Sequence, residues 1–335
     1  DINAVLDELW QFAGYYCAFS LSQETDKKLQ KAFNDLRSLV EVATPVVMRF
    51  YALYDQEKTS KDDFIEAIQL LSSYVLRRSI CDMQTRSLGN IFAALAHKVS
   101  DKKPLESLKV SLARFSKNSR FPNDNEFEQA LLHRDLYESR ICRFVLDQLE
   151  NDSKERIDTS TFTIEHVIPQ NEHLNKDWRT MLGDSWKEIQ ETWLHRLSNL
   201  TLTGYNSEYQ DSGFIKKKTM KGGFDDSPLR LNKDMRDATV WTPVEMEKRG
   251  KKLAKNALTI WPKLDVNGTL VAKYVLQDKK LQASQYQLDD VSGIKTETKA
   301  LVEHLQKTVL RIAPDTSVIP TKRNITFYLL EAFAQ

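Results

Sequence analysis

Glycine and proline are scarce, 10 and 9 in 335 residues. That argues against an all-β chain with its many tight turns and against a disordered, low-complexity one. Cysteine is scarcer still. Cys17, Cys81 and Cys142 are odd in number, widely spaced and set among apolar neighbours, with no Cys-x-x-Cys pair. No disulfide framework or structural zinc site can be built from them, and buried free thiols are expected. No apolar run approaches the ~18 residues of a membrane span, and the N-terminus lacks a signal-peptide pattern. The expectation is a cytoplasmic protein with no membrane partner. Also missing are a G-x-x-x-x-G-K-[ST] phosphate loop, a G-x-S-x-G elbow and an H-E-x-x-H zinc helix, the usual sequence signs of nucleotide, acyl-transfer and metalloprotease chemistry.

Hydrophobic residues at 41% and charged residues at 28% describe a helix-rich globular protein, long enough for more than one core. Helical periodicity runs through residues 1–150. Ser60 with Asp63 reads as an N-cap and acidic first turn, followed by Phe64, Ile68, Leu71 and Val75 at helical spacing. Phe127 and Leu131, then Ile141, Val145 and Leu149 with Phe144 beside them, mark a second apolar stripe. Residues 151–160, "NDSKERIDTS", are polar and aperiodic and read as a boundary. A β-like run, a helical insert with Trp178, Trp186 and Trp193, and a second β-like run around Leu200 and Leu202 follow, the last ended by Gly204. Thr242-Pro243-Val244-Glu245 opens a helix with Thr at the N-cap, Pro at N1 and Glu at N3. Beyond residue 262, "TLVAKYVL" reads as a strand, Leu301, Leu305, Val309 and Ile312 as one helix face, and "NITFYLL" as a strand or a helix start. The expected architecture is mainly α with a small α+β element: a helical bundle over 1–150, a ββα unit over 151–262 and a small mixed segment over 263–335.

Chemistry concentrates in Phe162-Thr-Ile-Glu-His-Val-Ile-Pro-Gln170. Alternation and β-branched bulk make a short strand, and Pro169, which cannot donate to a ladder, ends it. Glu165 and His166 thus stand at a strand end. His166, with an ordinary pKa near 6.5, is suited to take a proton from water at neutral pH. Glu165 and the side-chain carbonyl of Asn206 are hard oxygen donors suited to Mg²⁺ or Mn²⁺. Neighbouring strand residues point to opposite faces, so Glu165 and His166 can share a site only where the strand bends.

A strand ending in Glu-His, a β run containing Asn199-Leu200 and a helix opening at Asn206 resemble, in that order, the ββα-metal site of HNH (His-Me finger) endonucleases. "EHVIPQ", "HRLSNLTLTGYNSE" and "FIKKK" resemble more closely the C-terminal nuclease domain of the GmrSD-type modification-dependent restriction enzymes. Upstream, "SYVLRRSICD" and "RFPNDNEFEQALLHRDLYESR" resemble the helical region that precedes the nuclease in that family. The resemblance covers residues 1–262 and is sharpest over 164–218. It implies a metal-dependent DNA endonuclease of a bacterial anti-phage system. His166 would be the general base, Glu165 and Asn206 would hold one Mg²⁺ or Mn²⁺, Asn199 would tie the loop and orient the base, and His195 would contact phosphate or orient a neighbour.

Between residues 213 and 256 there are 12 Lys and Arg against 6 Asp and Glu, in a chain whose net charge is only +1. Lys216, Lys217 and Lys218, then Lys248, Arg249 and Lys252, are expected to hold DNA phosphates, giving salt-sensitive binding that tolerates sequence. The expected partner is double-stranded DNA, modified phage DNA included. The first residue is Asp1, and the chain ends inside an apolar pattern. The resemblance implies a nucleotide-dependent domain ahead of it, absent from this chain, and no nucleotide is expected to bind here. A second reading is a catalytically degenerate scaffold that binds DNA or a partner without cutting.

Overall fold

Side-chain caps start several of the helices. In the computed structural model, which describes residues 2–283, 303, 307, 317–320 and 325–328, Asp26 accepts from the amides of Lys28 and Leu29 and caps one helix. Ser60 accepts from Asp63 and caps another. Eight helices fill the first part of the chain: α1 Ile2–Ser20, α2 Lys27–Leu39, α3 Thr44–Asp55, α4 Lys61–Ile80, α5 Leu88–Lys98, α6 Pro104–Ala113, α7 Asp124–His133 and α8 Cys142–Glu150. The stripe from Phe64 to Val75 is buried, as are Phe127, Leu131, Ile141, Val145 and Leu149. Phe144 is only half-buried and lies against Trp261, with ring centroids 6.3 Å apart.

β1 Thr163–His166 pairs antiparallel with β2 Leu200–Thr203, with Glu165 opposite Thr201 and His166 opposite Leu200. Between the strands run α9 Lys176–Leu182 and α10 Trp186–Trp193, and after them α11 Asn206–Tyr209, α12 Phe214–Thr219, α13 Lys233–Asp237 and α14 Pro243–Ile260. Thr242 and Glu245 form the expected capping box of α14. Val167, Ile168, Trp178, Phe214, Phe224, Trp241 and Met246 share one apolar core. The protein is mainly helical, with this small sheet as its β component.

Residues 151–160 are bonded onto α8. Arg143 donates to the carbonyls of Thr159 and Phe162, Thr159 donates its hydroxyl to Asp147, and Asn151 holds the main chain of Ile157 at 2.8 Å and 3.1 Å. Glu150 then accepts from the amides of Arg230 and Leu231 at 3.0 and 2.9 Å. Helix α14 packs on α7 and α8. On α4, Arg77 donates to the Trp261 carbonyl at 2.8 Å and Ser73 to that of Pro262 at 2.7 Å. By compactness, residues 1–108 and 115–264 make one unit, and residues 109–114 and 265–335 a second.

In the second unit "TLVAKYVL" is not a strand. It lies in α15 Gly268–Ala283, because Asn267 accepts from the Thr269 amide at 2.9 Å and caps the first turn, a local bond that outweighs the β preference of its branched residues. β3 Ser317–Pro320 pairs antiparallel with β4 Ile325–Tyr328, so the "ITFY" of "NITFYLL" is a strand. The expected face of Leu301, Leu305, Val309 and Ile312 lies outside the described residues. No described helix is long and apolar enough to cross a membrane.

Candidate active site

The strand end bends where the chemistry was expected. After His166 the chain leaves the ladder, and the carbonyls of both His166 and Val167 face the ammonium of Lys217, at 2.9 and 3.2 Å. In an extended strand successive carbonyls point in opposite directions, so two on one nitrogen place the turn at this peptide. Asn199 clamps the bend. Its Oδ1 accepts from the Ile168 amide at 2.8 Å, and its Nδ2 donates to the carbonyls of Ile168 at 3.2 Å and Leu194 at 2.9 Å. Its own carbonyl accepts from Val167 at 2.9 Å. Asn199 is wholly buried, and its bonds to Val167 and Ile168 join the exit of β1 to the entry of β2.

Strand alternation sorts the side chains. One face of the hairpin carries Thr163, Glu165, Thr201 and Thr203, and α11 lies against it: Asn206 donates to the Thr163 hydroxyl at 3.1 Å and to the Ile164 carbonyl at 2.9 Å. His166 meets a different set of partners. Its Nε2 is 3.2 Å from Nδ1 of His195. The ring of Tyr137 stands edge-on to His166, with centroids 4.4 Å apart, and stacks on His195 at 5.4 Å. Tyr137 is brought there by main chain, since the amides of Leu136 and Tyr137 donate to the His195 carbonyl at 2.8 and 3.3 Å. Burial, then the neighbouring His195 and Lys217, push the His166 pKa down to about 3. His166 is therefore neutral at physiological pH and, as arranged, a weak base. The contact between the two ring nitrogens couples the tautomer of His166 to that of His195.

The structure thus brings His166, His195 and Asn199 to one strand end, and Asn206 onto the hairpin at Thr163 and Ile164. Tyr137 was not anticipated; it is a single aromatic in a polar stretch, and only its place beside two histidines singles it out. Glu165 does not fit the expected ligand role as arranged. Its Oε1 pairs with Lys217 Nζ at 2.5 Å, and both side chains are almost fully buried. Among the described residues no three His, Cys, Asp or Glu side chains are grouped so as to hold a metal ion.

The expected DNA contacts divide in the same way. Lys217 is not a DNA ligand here, since its ammonium is spent on Glu165 and two carbonyls. Nor is Arg249, which is buried and donates to the carbonyls of Leu197, Ser198 and Leu231 at 3.1, 2.7 and 3.2 Å. Lys218 donates to the carbonyls of Arg236 and Ala238 at 2.6 and 2.8 Å, and Lys252 pairs with Asp234 at 2.7 Å while staying about half exposed. Lys216 and Lys248 are exposed. The helical phase of α12 carries the reason: Lys217 follows Phe214 by three positions and shares its buried face, whereas Lys216 does not.

No curated protein matches the chain. Residues 121–256, which include α7, α8, the β1–β2 hairpin and most of α14, match the family described as GmrSD restriction endonucleases, C-terminal domain.

Proposed function

We propose that this domain is an HNH-type endonuclease that hydrolyses phosphodiester bonds of DNA, with His166 as general base. The observation that supports it most is the neutral His166 at a clamped strand end, hydrogen-bonded to a second histidine. Hydrolysis needs a base to take a proton from the attacking water as its oxygen bonds to phosphorus, while the P–O bond to the leaving sugar oxygen breaks and that oxygen takes a proton from solvent; a neutral imidazole is the form that can accept the water's proton. A phosphodiester anion brought beside His166 offsets the neighbouring positive charge of Lys217, which strengthens the base as substrate binds. Lys216, Lys248 and Lys252 are the cations left to face DNA phosphates. The natural setting in this reading is bacterial defence against phage in the cytoplasm, with modified DNA among the substrates.

The resemblance leads to an expectation of one Mg²⁺ or Mn²⁺. The carboxylate that would hold that ion is paired with Lys217. The test is nicking of supercoiled plasmid by the wild type and His166→Ala with Mg²⁺, with Mn²⁺ and with chelator. Loss of nicking in the variant is expected, and equal cleavage by both overturns the assignment. The Glu165–Lys217 pair also favours a second reading, a degenerate scaffold that binds DNA without cutting it. Salt-dependent binding with no cleavage under any of these conditions would select it.

A further inference from the structure

The residue expected to hold a metal ion and a residue expected to hold DNA are bound to each other. Lys217 Nζ lies 2.5 Å from Glu165 Oε1, 2.9 Å from the His166 carbonyl and 3.2 Å from that of Val167. Three oxygens converge on one cation from three consecutive residues of the strand end. The set is dry, with Lys217 and Glu165 side chains 1% and 5% exposed. It is also braced from behind. The Phe224 amide donates to the Lys217 carbonyl at 3.1 Å and that of Asp225 to the Lys218 carbonyl at 3.0 Å, and a Cβ on Gly223 would stand 2.5 Å from both carbonyl oxygens. Only a residue without a side chain lets the strand of chain after α12 close against it so tightly. Lys217 is thus held from two sides, in a position that its own helix and the following loop fix.

We infer that Lys217 is the resident cation of the β1 end: its ammonium, not a divalent ion, carries the positive charge on Glu165, and it acts as a positioning residue for His166. The physical argument is one of charge and geometry. A buried carboxylate needs a counter-charge, and here it has a full one already in hydrogen-bond contact. A divalent cation coordinating the same carboxylate would have to expel a buried ammonium or sit beside it, where like charges repel strongly away from water. The second part follows from the two carbonyls. By drawing the His166 and Val167 carbonyls to one point, Lys217 sets the bend that aims the His166 ring at His195, while Asn199 holds the far side of the same turn. Any divalent ion that cleavage requires is then held by other atoms, with Glu165 outside its ligand shell.

The positioning part rests on the nuclease reading and the metal part does not, so the test has two arms on the full chain. Mn²⁺ is first titrated calorimetrically into metal-free wild type and Glu165→Gln. The expected result is the same affinity to within about twofold, or no binding by either protein, since Glu165 is not a ligand; weakening by about tenfold or more in the variant overturns the inference. Plasmid nicking is then measured for Lys217→Gln and Lys217→Arg, after their melting temperatures are matched to wild type. A fall in kcat of about tenfold or more with KM unchanged in Lys217→Gln, and partial recovery in Lys217→Arg, is expected of a residue that aims the base. Where Lys217→Gln melts early, Lys217→Arg against wild type carries the comparison. Unchanged kcat in a folded Lys217→Gln overturns the positioning role. Absence of nicking by the wild type would instead sink the nuclease reading, and the Mn²⁺ titration would still decide who holds Glu165.

Discussion

A buried cation and an exposed one are the same letter in a sequence, and at the residue scale this is where reading by composition fails. Of three consecutive lysines, Lys217 is a core residue and Lys216 a surface one. Arg249 lies inside the protein, and burial pulls its pKa down to about 10. It props the short 3₁₀ turn over residues 197–199 that presents Asn199. Arg249→Ala should therefore cost about 3 kcal/mol or more of stability, because three buried carbonyls lose their donor, and thermal melting reads it. Lys216→Ala and Lys248→Ala should instead leave the melting temperature in place and shallow the salt dependence of DNA binding, each by about one unit of slope. His166 gives a pH prediction of definite sign. Its ordinary value is 6.5 and its folded value about 3, so between these the unfolded chain takes up a proton that the folded one refuses. Stability is full above pH 6.5 and falls as the pH drops toward 3. A His166→Gln chain should lack that part of the acid loss in urea titrations at stepped pH.

At the scale of elements, what the sequence makes legible is whatever is fixed locally. The capping box of α14 and the Ser60 cap are set by neighbours within four residues, and the two short strands show in local alternation although their pairing joins Thr163 to Thr203. The strand reading of "TLVAKYVL" fails because its β-branched composition competes with a cap just upstream, and the cap prevails. The placing of His166 at a strand end and of Asn199 at the entry of the second strand was legible in the sequence, whereas the Tyr137 contact and the Lys217 pairing depend on residues far apart in the chain. The stripe on α7 and α8 also supplies a graded test. Leu131 is buried and Phe144 half-buried. Leu131→Asp should unfold the helices, since an unpaired buried carboxylate costs several kcal/mol against a total of roughly 5–15. Phe144→Asp, free to turn its carboxylate to solvent, should lose only about 1–2 kcal/mol. Equal melting curves for the two would show that burial is misjudged on one of them.

At the scale of the whole molecule, function and support are not divided at residue 150. The family match already starts at residue 121, and α7 and α8 pack on α14 while Glu150, at the end of α8, accepts from Arg230 and Leu231. Arg77 and Ser73 of α4 donate to the carbonyls of Trp261 and Pro262, just past α14. A polypeptide of residues 151–262 would thus expose the α14 face that meets α7, strip Arg77 from its carbonyl and leave the amides of residues 230 and 231 without their carboxylate. An isolated two-stranded hairpin is marginal in water, so what remains would depend on the Trp178 and Trp241 core alone. That polypeptide should show little protection in hydrogen exchange and no cooperative melt. Residues 1–264 should melt in a single transition in which the near-ultraviolet signal of Trp178 and Trp241 and the far-ultraviolet helical signal disappear together. Two separated transitions, with the helical signal of the first part surviving loss of the tryptophan signal, would mean that the helices and the hairpin fold apart, and that α8 adjoins the hairpin without bracing it.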